Sequence, residues 1–282
     1  MHEGGPVDGR VTLGLVDAHV HVFPPEIIGD RQSLLERDRR FGELYRPARA
    51  RMATAEHVLE SMDREGVDLS MLVGFPFVDQ GLCRLVNDYV LEAVANHPGR
   101  LAGLACVAPE APGAVAELER CLDAGLRGCG ELAPEPGETL AAIAGHLRER
   151  GAPLLVHASE PVGHEYPGKG RFGPDSCFAL AASNPGLTIV FAHFGGGLFL
   201  YESMPEVRKT LATVFYDTAA APYLYGAGIY RAVESTAGIE KIILGSDYPL
   251  LAPGRYLPGL EALTPPARAA VLAGNARKVF GL

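Results

Sequence analysis

A parallel (β/α)8 barrel is the fold class this sequence predicts, and three observations predict it. Eight short apolar runs alternate with amphipathic stretches along nearly the whole chain, the pattern of strands each followed by a helix. The runs are almost continuous in Val, Ile and Leu, as expected of parallel strands buried on both faces. The length of 282 residues fits the roughly 250 of such a barrel plus one modest insertion. No G-x-G-x-x-G follows the first run, which argues against a doubly wound dinucleotide-binding sheet.

The first strand falls within residues 14–23 (GLVDAHVHVF). The connection that follows, 24–53, is too long for an ordinary βα loop. Its charged segment 31–40 and its aromatics Phe41 and Tyr45 fit either a helical excursion packed on the rim or a lid over the active-site face. Thr54 is a good N-cap for a helix over 55–65, and Gly66 stops it. After the second strand (67–75), the next helix over 82–96 carries Leu82, Leu85, Val86, Tyr89, Val90 and Ala93 at helical spacing. Strand 101–108 leads to helix 113–124, strand 126–132 to helix 139–150, and strand 153–158 to helix 175–183. The last three pairs are strand 187–193 with helix 200–211, strand 214–218 with helix 223–236, and strand 242–247 with helix 265–272. Residues 1–282 thus read as a single barrel domain.

The net charge of −9 argues against nucleic acid or an anionic membrane surface as the main partner, since phosphate binding needs a basic footprint. With 48% hydrophobic and 21% charged residues, the composition is that of an ordinary globular protein. No apolar run approaches the roughly 18 residues of a membrane span, and residues 1–10 lack a secretory h-region. Five cysteines, odd in number and without a C-x-x-C pair, read as reduced thiols. Together these features place the protein in the cytoplasm. A homodimer is the expectation for a barrel of this kind, although no interface signature supports it.

The chemistry-bearing residues gather at strand ends. His19 and His21 stand two apart on the first strand, so both side chains can reach one cation. His157 ends the fifth strand, His193 the sixth and Asp247 the eighth, at the end where barrel enzymes place their sites. One histidine ending a strand is ordinary core. Several at equivalent depth call for a metal, and imidazoles plus a carboxylate suit Zn2+ while accommodating Mn2+, iron or nickel.

The wording around these residues (DAHVHVFP, LVHASEP, FAHFGGG, GSDYP and GNARKVFGL) resembles the amidohydrolase superfamily, in particular its amidohydrolase-related branch. That branch includes aminocarboxymuconate-semialdehyde decarboxylase, resorcylate-type decarboxylases and pyrone dicarboxylate lactonase. The resemblance runs from Val16 to Leu282 and implies a barrel, a divalent metal ion and chemistry centred on Asp247. It further implies that His19, His21, His157 and Asp247 hold one ion, while His193 hydrogen-bonds a metal-held water or polarises the substrate. In two-metal relatives, His157 and His193 instead take a second ion and a carboxylated lysine or a glutamate bridges. None of the four lysines ends a strand, whereas Glu131 ends the fourth, where it is a ligand, a bridge or a pocket-lining carboxylate.

The expected reaction is hydrolysis of an amide, ester or lactone of a small carboxylate-bearing molecule by metal-activated water, with Asp247 as general base and acid. The alternative is non-oxidative decarboxylation at the same site. An anionic substrate would find Glu160, His164, Lys169 and Arg171 in the polar loop after the fifth strand, which reads either as substrate-binding or as a solvated turn. The glycines 195–197 suit a close-passing turn better than an anion site. Asp217 and Tyr248 face the same rim, to line the pocket or brace a ligand, and Asp17 lies deeper, in a structural position.

Overall fold

The computed structural model of the protein describes residues 14–135 and 137–282. Eight parallel strands follow in order: β1 (Val16–His21), β2 (Leu69–Val73), β3 (Leu101–Gly103), β4 (Cys129–Leu132), β5 (Leu154–Val156), β6 (Ile189–Phe191), β7 (Val214–Asp217) and β8 (Ile242–Ile243). One ladder runs β1-β2-β3 and a second runs β4-β5-β6-β7-β8. Single bridges span the two seams, Ala105 to Cys129 and Val20 to Tyr248. Backbone hydrogen bonds reinforce them, from Arg127 N to Gly103 O at 2.8 Å and from Ala18 N to Leu244 O at 2.9 Å. The architecture is the TIM-type barrel that the alternating apolar runs predict.

An inner cluster fills the barrel with Val16, Ala18, Leu69, Met71, Val73, Leu155, Val190 and Ile243 among others, and a larger cluster packs between strands and helices. Simple alternation along β1 would continue the Val16–Ala18 face to Val20, yet Val20 joins the outer cluster. The β1–β2 register shifts between Asp17 and Val20, and an irregularity of this kind re-aims the residues beyond it, here His19 and His21. A second shift, between Cys129 and Leu132, brackets Glu131. Both irregularities fall where the site is built.

Several helices differ from their sequence reading, each for a local reason. Ala55–Glu65 is as expected, capped by Thr54 and closed by left-handed Gly66. The next helix starts earlier, at Gln80, because the Asp79 side chain accepts from Gly81 N and Leu82 N. In place of a helix over 200–211 the chain forms a 3-10 segment, His193–Ser203, and a short helix, Pro205–Thr210. The 223–236 stretch divides into Ala221–Leu224 and Ile229–Thr236 around Gly226 and Gly228. At the C-terminus, Pro265–Ala269 continues through a π turn into a helix over Asn275–Phe280.

The excursion over 24–53 consists of three short helices, Pro25–Gly29, Arg31–Arg37 and Arg39–Tyr45. Phe41 and Tyr45 are buried; Phe41 stacks on Tyr45 and Phe77, and both rings meet Phe23 and Phe75 edge-on. Asp38 ties the excursion to the β2 loop by accepting from Phe41 N at 3.0 Å and Val78 N at 2.8 Å. The Arg31 guanidinium donates to the carbonyls of Tyr45, Pro47 and Ala50. All five cysteines are buried and free. Among the described residues, no helix is long and apolar enough to cross a membrane. The reading of residues 1–10 lies outside the described residues.

Candidate metal centre

β1 delivers His19 and His21, β4 delivers Glu131, and the loop after β8 delivers Asp247. The Nε2 atoms of His19 and His21 lie 3.2 Å apart. Asp247 Oδ1 is 3.3 Å from His21 Nε2, and Glu131 Oε2 is 3.5 Å and 3.7 Å from the His21 and His19 nitrogens. An ion bound tetrahedrally at about 2.1 Å needs donors about 3.4 Å apart. His19, His21 and Asp247 therefore fit a divalent cation, with Glu131 Oε2 beside the two histidine nitrogens. The tautomer of His19 fits as well: Asp217 Oδ2 sits 2.7 Å from its Nδ1, which places the proton there and leaves the Nε2 lone pair for a metal. His21 has no such orienting partner, since its buried Nδ1 makes no hydrogen bond.

A second group shares the same glutamate. Glu131 Oε1 is 3.1 Å from His157 Nδ1, which is 3.1 Å from His193 Nε2. His193 Nδ1 donates to the Ala219 carbonyl at 2.8 Å, so its Nε2 also presents a lone pair. Each triad, His19–His21–Asp247 and Glu131–His157–His193, brings its donor atoms within 4.8 Å of one another. His157 thus groups with Glu131 and His193 rather than with the first triad. Asp217 serves both, because its Oδ1 accepts from His193 N at 2.9 Å. His193 and Asp247 have positive φ values of 56° and 58°, a conformation costly for non-glycine residues and concentrated at functional sites.

The charges follow from packing. Burial alone would raise the pKa of Asp247, but its hydrogen bond to His21 and the charges of His21, His19 and His193 hold it at about 2. Burial likewise opposes ionisation of Glu131, and His19 and His157 overcome it, leaving its pKa well below the usual value. In return, Asp217 and Glu131 raise His19 well above 6.5, and Glu131 raises His157. Asp17 shows the opposite balance: burial pushes it up to about 6, although it accepts from Ser246 N at 2.8 Å and Ser246 Oγ at 2.5 Å. Through Ser246 it ties β1 to the residue before Asp247, a structural role.

The loop after β5 separates its predicted residues. Lys169 Nζ turns into its own loop, donating to the His164 carbonyl at 3.2 Å and to Glu165 at 3.2 Å. His164 and Arg171 are exposed. Glu160 is partly buried and accepts from Tyr166 OH at 3.1 Å. Gly196 is the close-passing turn: a Cβ there would sit 2.4 Å from Ser159 O. The Tyr248 hydroxyl points away to His57 O at 3.3 Å. Two partners went unread in the sequence, Ser159, whose Oγ lies 3.1 Å from His157 Nε2, and the Ala219 carbonyl. Ser159 carries the weak signal of standing two residues after His157; a backbone carbonyl carries none.

Comparison with known families bears on this geometry. Residues 16–282 match the family described as Amidohydrolase. The chain belongs to that family. Solved structures share the architecture of this amidohydrolase. The 5-carboxyvanillate decarboxylase of Sphingomonas paucimobilis is 19% identical, with 96% of this chain and 99% of that chain covered and a TM-score of 0.76. A dihydroxybenzoic acid decarboxylase of a Polaromonas species, with bound manganese and 2-nitroresorcinol, is 18% identical over 95% of this chain and 97% of that one, TM-score 0.74. A Pseudomonas putida protein assigned as a 2-pyrone-4,6-dicarboxylic acid hydrolase is 20% identical over 95% and 98%, TM-score 0.68. At these identities the likeness establishes the fold of the amidohydrolase, not its reaction.

Proposed function

We propose that this amidohydrolase is a divalent-metal-dependent, non-oxidative decarboxylase acting on a small carboxylate-bearing molecule. The observation that carries the reading is the His19–His21–Asp247 triad with Glu131 beside its histidine nitrogens, set in the same barrel as decarboxylases, one of them manganese-bound. Two imidazoles and two carboxylates suit manganese as well as zinc. A divalent cation there would supply Lewis acidity toward the substrate's oxygens. Decarboxylation breaks the bond from the carboxyl carbon to its neighbour, leaves the electron pair on that neighbour and needs a proton there. Asp247 takes a proton from the substrate or solvent and delivers it to that carbon. His19 and His21 would hold the cation as neutral ligands, and Asp217 fixes the ring of His19. The excursion over 24–53 acts as a lid, with Tyr45 on its inner side.

Hydrolysis, the first expectation from the sequence, has one specific observation in its favour. Glu131 turns one oxygen to each triad, an arrangement able to bridge two cations around an attacking water. Incubating manganese-loaded protein with a panel of aryl carboxylates and with carboxylated lactones and amides separates the readings. Carbon dioxide release without oxygen from heavy-oxygen water in the product supports decarboxylation. Label incorporated into a new carboxyl or hydroxyl, with no carbon dioxide, moves the assignment to hydrolysis.

A further inference from the structure

Three histidines of the two triads have their outer ring nitrogen held by a partner, and the partners differ in kind. His19 Nδ1 faces the Asp217 carboxylate at 2.7 Å, and His193 Nδ1 faces the Ala219 carbonyl at 2.8 Å. An ionised carboxylate and a carbonyl only accept, so each fixes a proton on Nδ1. His157 is turned the other way. Its Nδ1 points inward, 3.1 Å from Glu131 Oε1 and 3.1 Å from His193 Nε2, while its Nε2 meets the Ser159 hydroxyl at 3.1 Å.

Ser159 is itself held from several sides. Gly170 N donates to its Oγ at 3.0 Å. The Ser159 N–H donates to the Phe172 carbonyl at 3.0 Å and closes the two ends of the loop after β5 on each other. Gly196 passes so close to the Ser159 carbonyl that no side chain fits between them. Lys169, next to Gly170, donates to the carbonyls of Val162 and His164. The buried hydroxyl thus stands at a set point. With one lone pair taken by Gly170, it keeps a second lone pair and a proton for His157. An imidazole turned by half a turn about Cβ–Cγ would put carbon against both Glu131 and Ser159 and lose both contacts.

We infer that Ser159 is a positioning residue for His157: by holding Nε2, it turns Nδ1 toward Glu131 and His193 as a metal donor. The inference rests on the metal-dependent reading and adds a residue that acts through another. With a divalent cation bound, the Nδ1 lone pair would be engaged and the ring proton would lie on Nε2, donated to Ser159 Oγ.

The test is heteronuclear NMR of zinc-loaded protein with isotope-labelled histidine, zinc being diamagnetic, for wild type, Ser159→Ala and Gly170→Ala. A His157→Gln variant assigns the ring signals. Wild type is expected to carry the His157 ring proton on Nε2, protected from exchange with water. Ser159→Ala is expected to lose that protection and to bind zinc about 10–100-fold more weakly in competition with a chelator. Gly170→Ala keeps the amide donor, and its Cβ would meet His157 at an ordinary contact of 3.6 Å, so it is expected to match wild type. The wild-type spectrum decides the matter even if Ser159→Ala fails to fold, because a proton on Nδ1 overturns the inference. A protected Nε2 proton or an unchanged zinc affinity in Ser159→Ala overturns it as well. A chain that takes up no zinc overturns it together with the metal centre. Carbon dioxide release, measured separately, tells failure of the positioning role from failure of the decarboxylase reading.

Discussion

Asp217 Oδ2 lies 2.7 Å from Nδ1 of His19, both side chains fully buried, and the other oxygen of the same carboxylate accepts from the backbone of His193. One residue on β7 thus sets the ring of a histidine in the first triad and the backbone of a histidine in the second. Removing an orienting partner of this kind typically costs about 10–100-fold in metal affinity. Asp217→Ala is expected to lose affinity for manganese in that range, measured by competition with a chelator. Unchanged affinity would mean that His19 needs no orientation.

The metal-free protein is expected to lose stability as pH rises above 6.5. The folded-state pKa values of His19 and His157 are raised, so their stabilising contribution is complete below the unfolded value of about 6.5 and disappears as pH climbs through the folded values. Asp247, held at about 2, contributes above its unfolded value of about 3.9 and loses its contribution only toward pH 2. Metal binding displaces the imidazole protons, so the rise in Tm on adding manganese should grow from pH 6 to pH 8. A manganese-induced shift independent of pH would contradict the charge states described.

Asp247→Asn retains an oxygen donor but no basic carboxylate. Turnover is expected to fall by about 10²–10⁴-fold, with metal content measured in parallel so that lost activity is not lost metal. Near-full turnover with metal bound would remove Asp247 from the proton-transfer role.

Phe41 is fully buried and in ring contact with Phe23, Tyr45, Phe75 and Phe77. Phe41→Ala should destabilise the protein by about 3–5 kcal/mol, read by denaturant unfolding. A loss below about 1 kcal/mol would show that the excursion unfolds separately from the barrel.

Much of this was legible in residue order because periodicity and strand position are local properties. The apolar runs place His19, His21, Glu131, His157, His193 and Asp247 at strand ends, and all six meet. What remained hidden depends on the third dimension. The register shifts in β1 and β4 decide which side chains face inward, and no run of letters announces them. Glycine-rich 193–203 reads as a turn before a helix, but left-handed backbone from His193 to Gly197 winds it into a 3-10 segment. The loop residues His164, Lys169 and Arg171 read either as anion anchors or as a solvated turn, and Lys169 is tied to carbonyls of its own loop.

The most direct test of the account is the divalent metal content of protein purified without chelators, compared with a His19→Ala/His21→Ala double variant. About one ion per chain or more, lost in the variant, is the predicted result. A wild-type protein that takes up neither manganese nor zinc after reloading would contradict the metal centre and the chemistry derived from it.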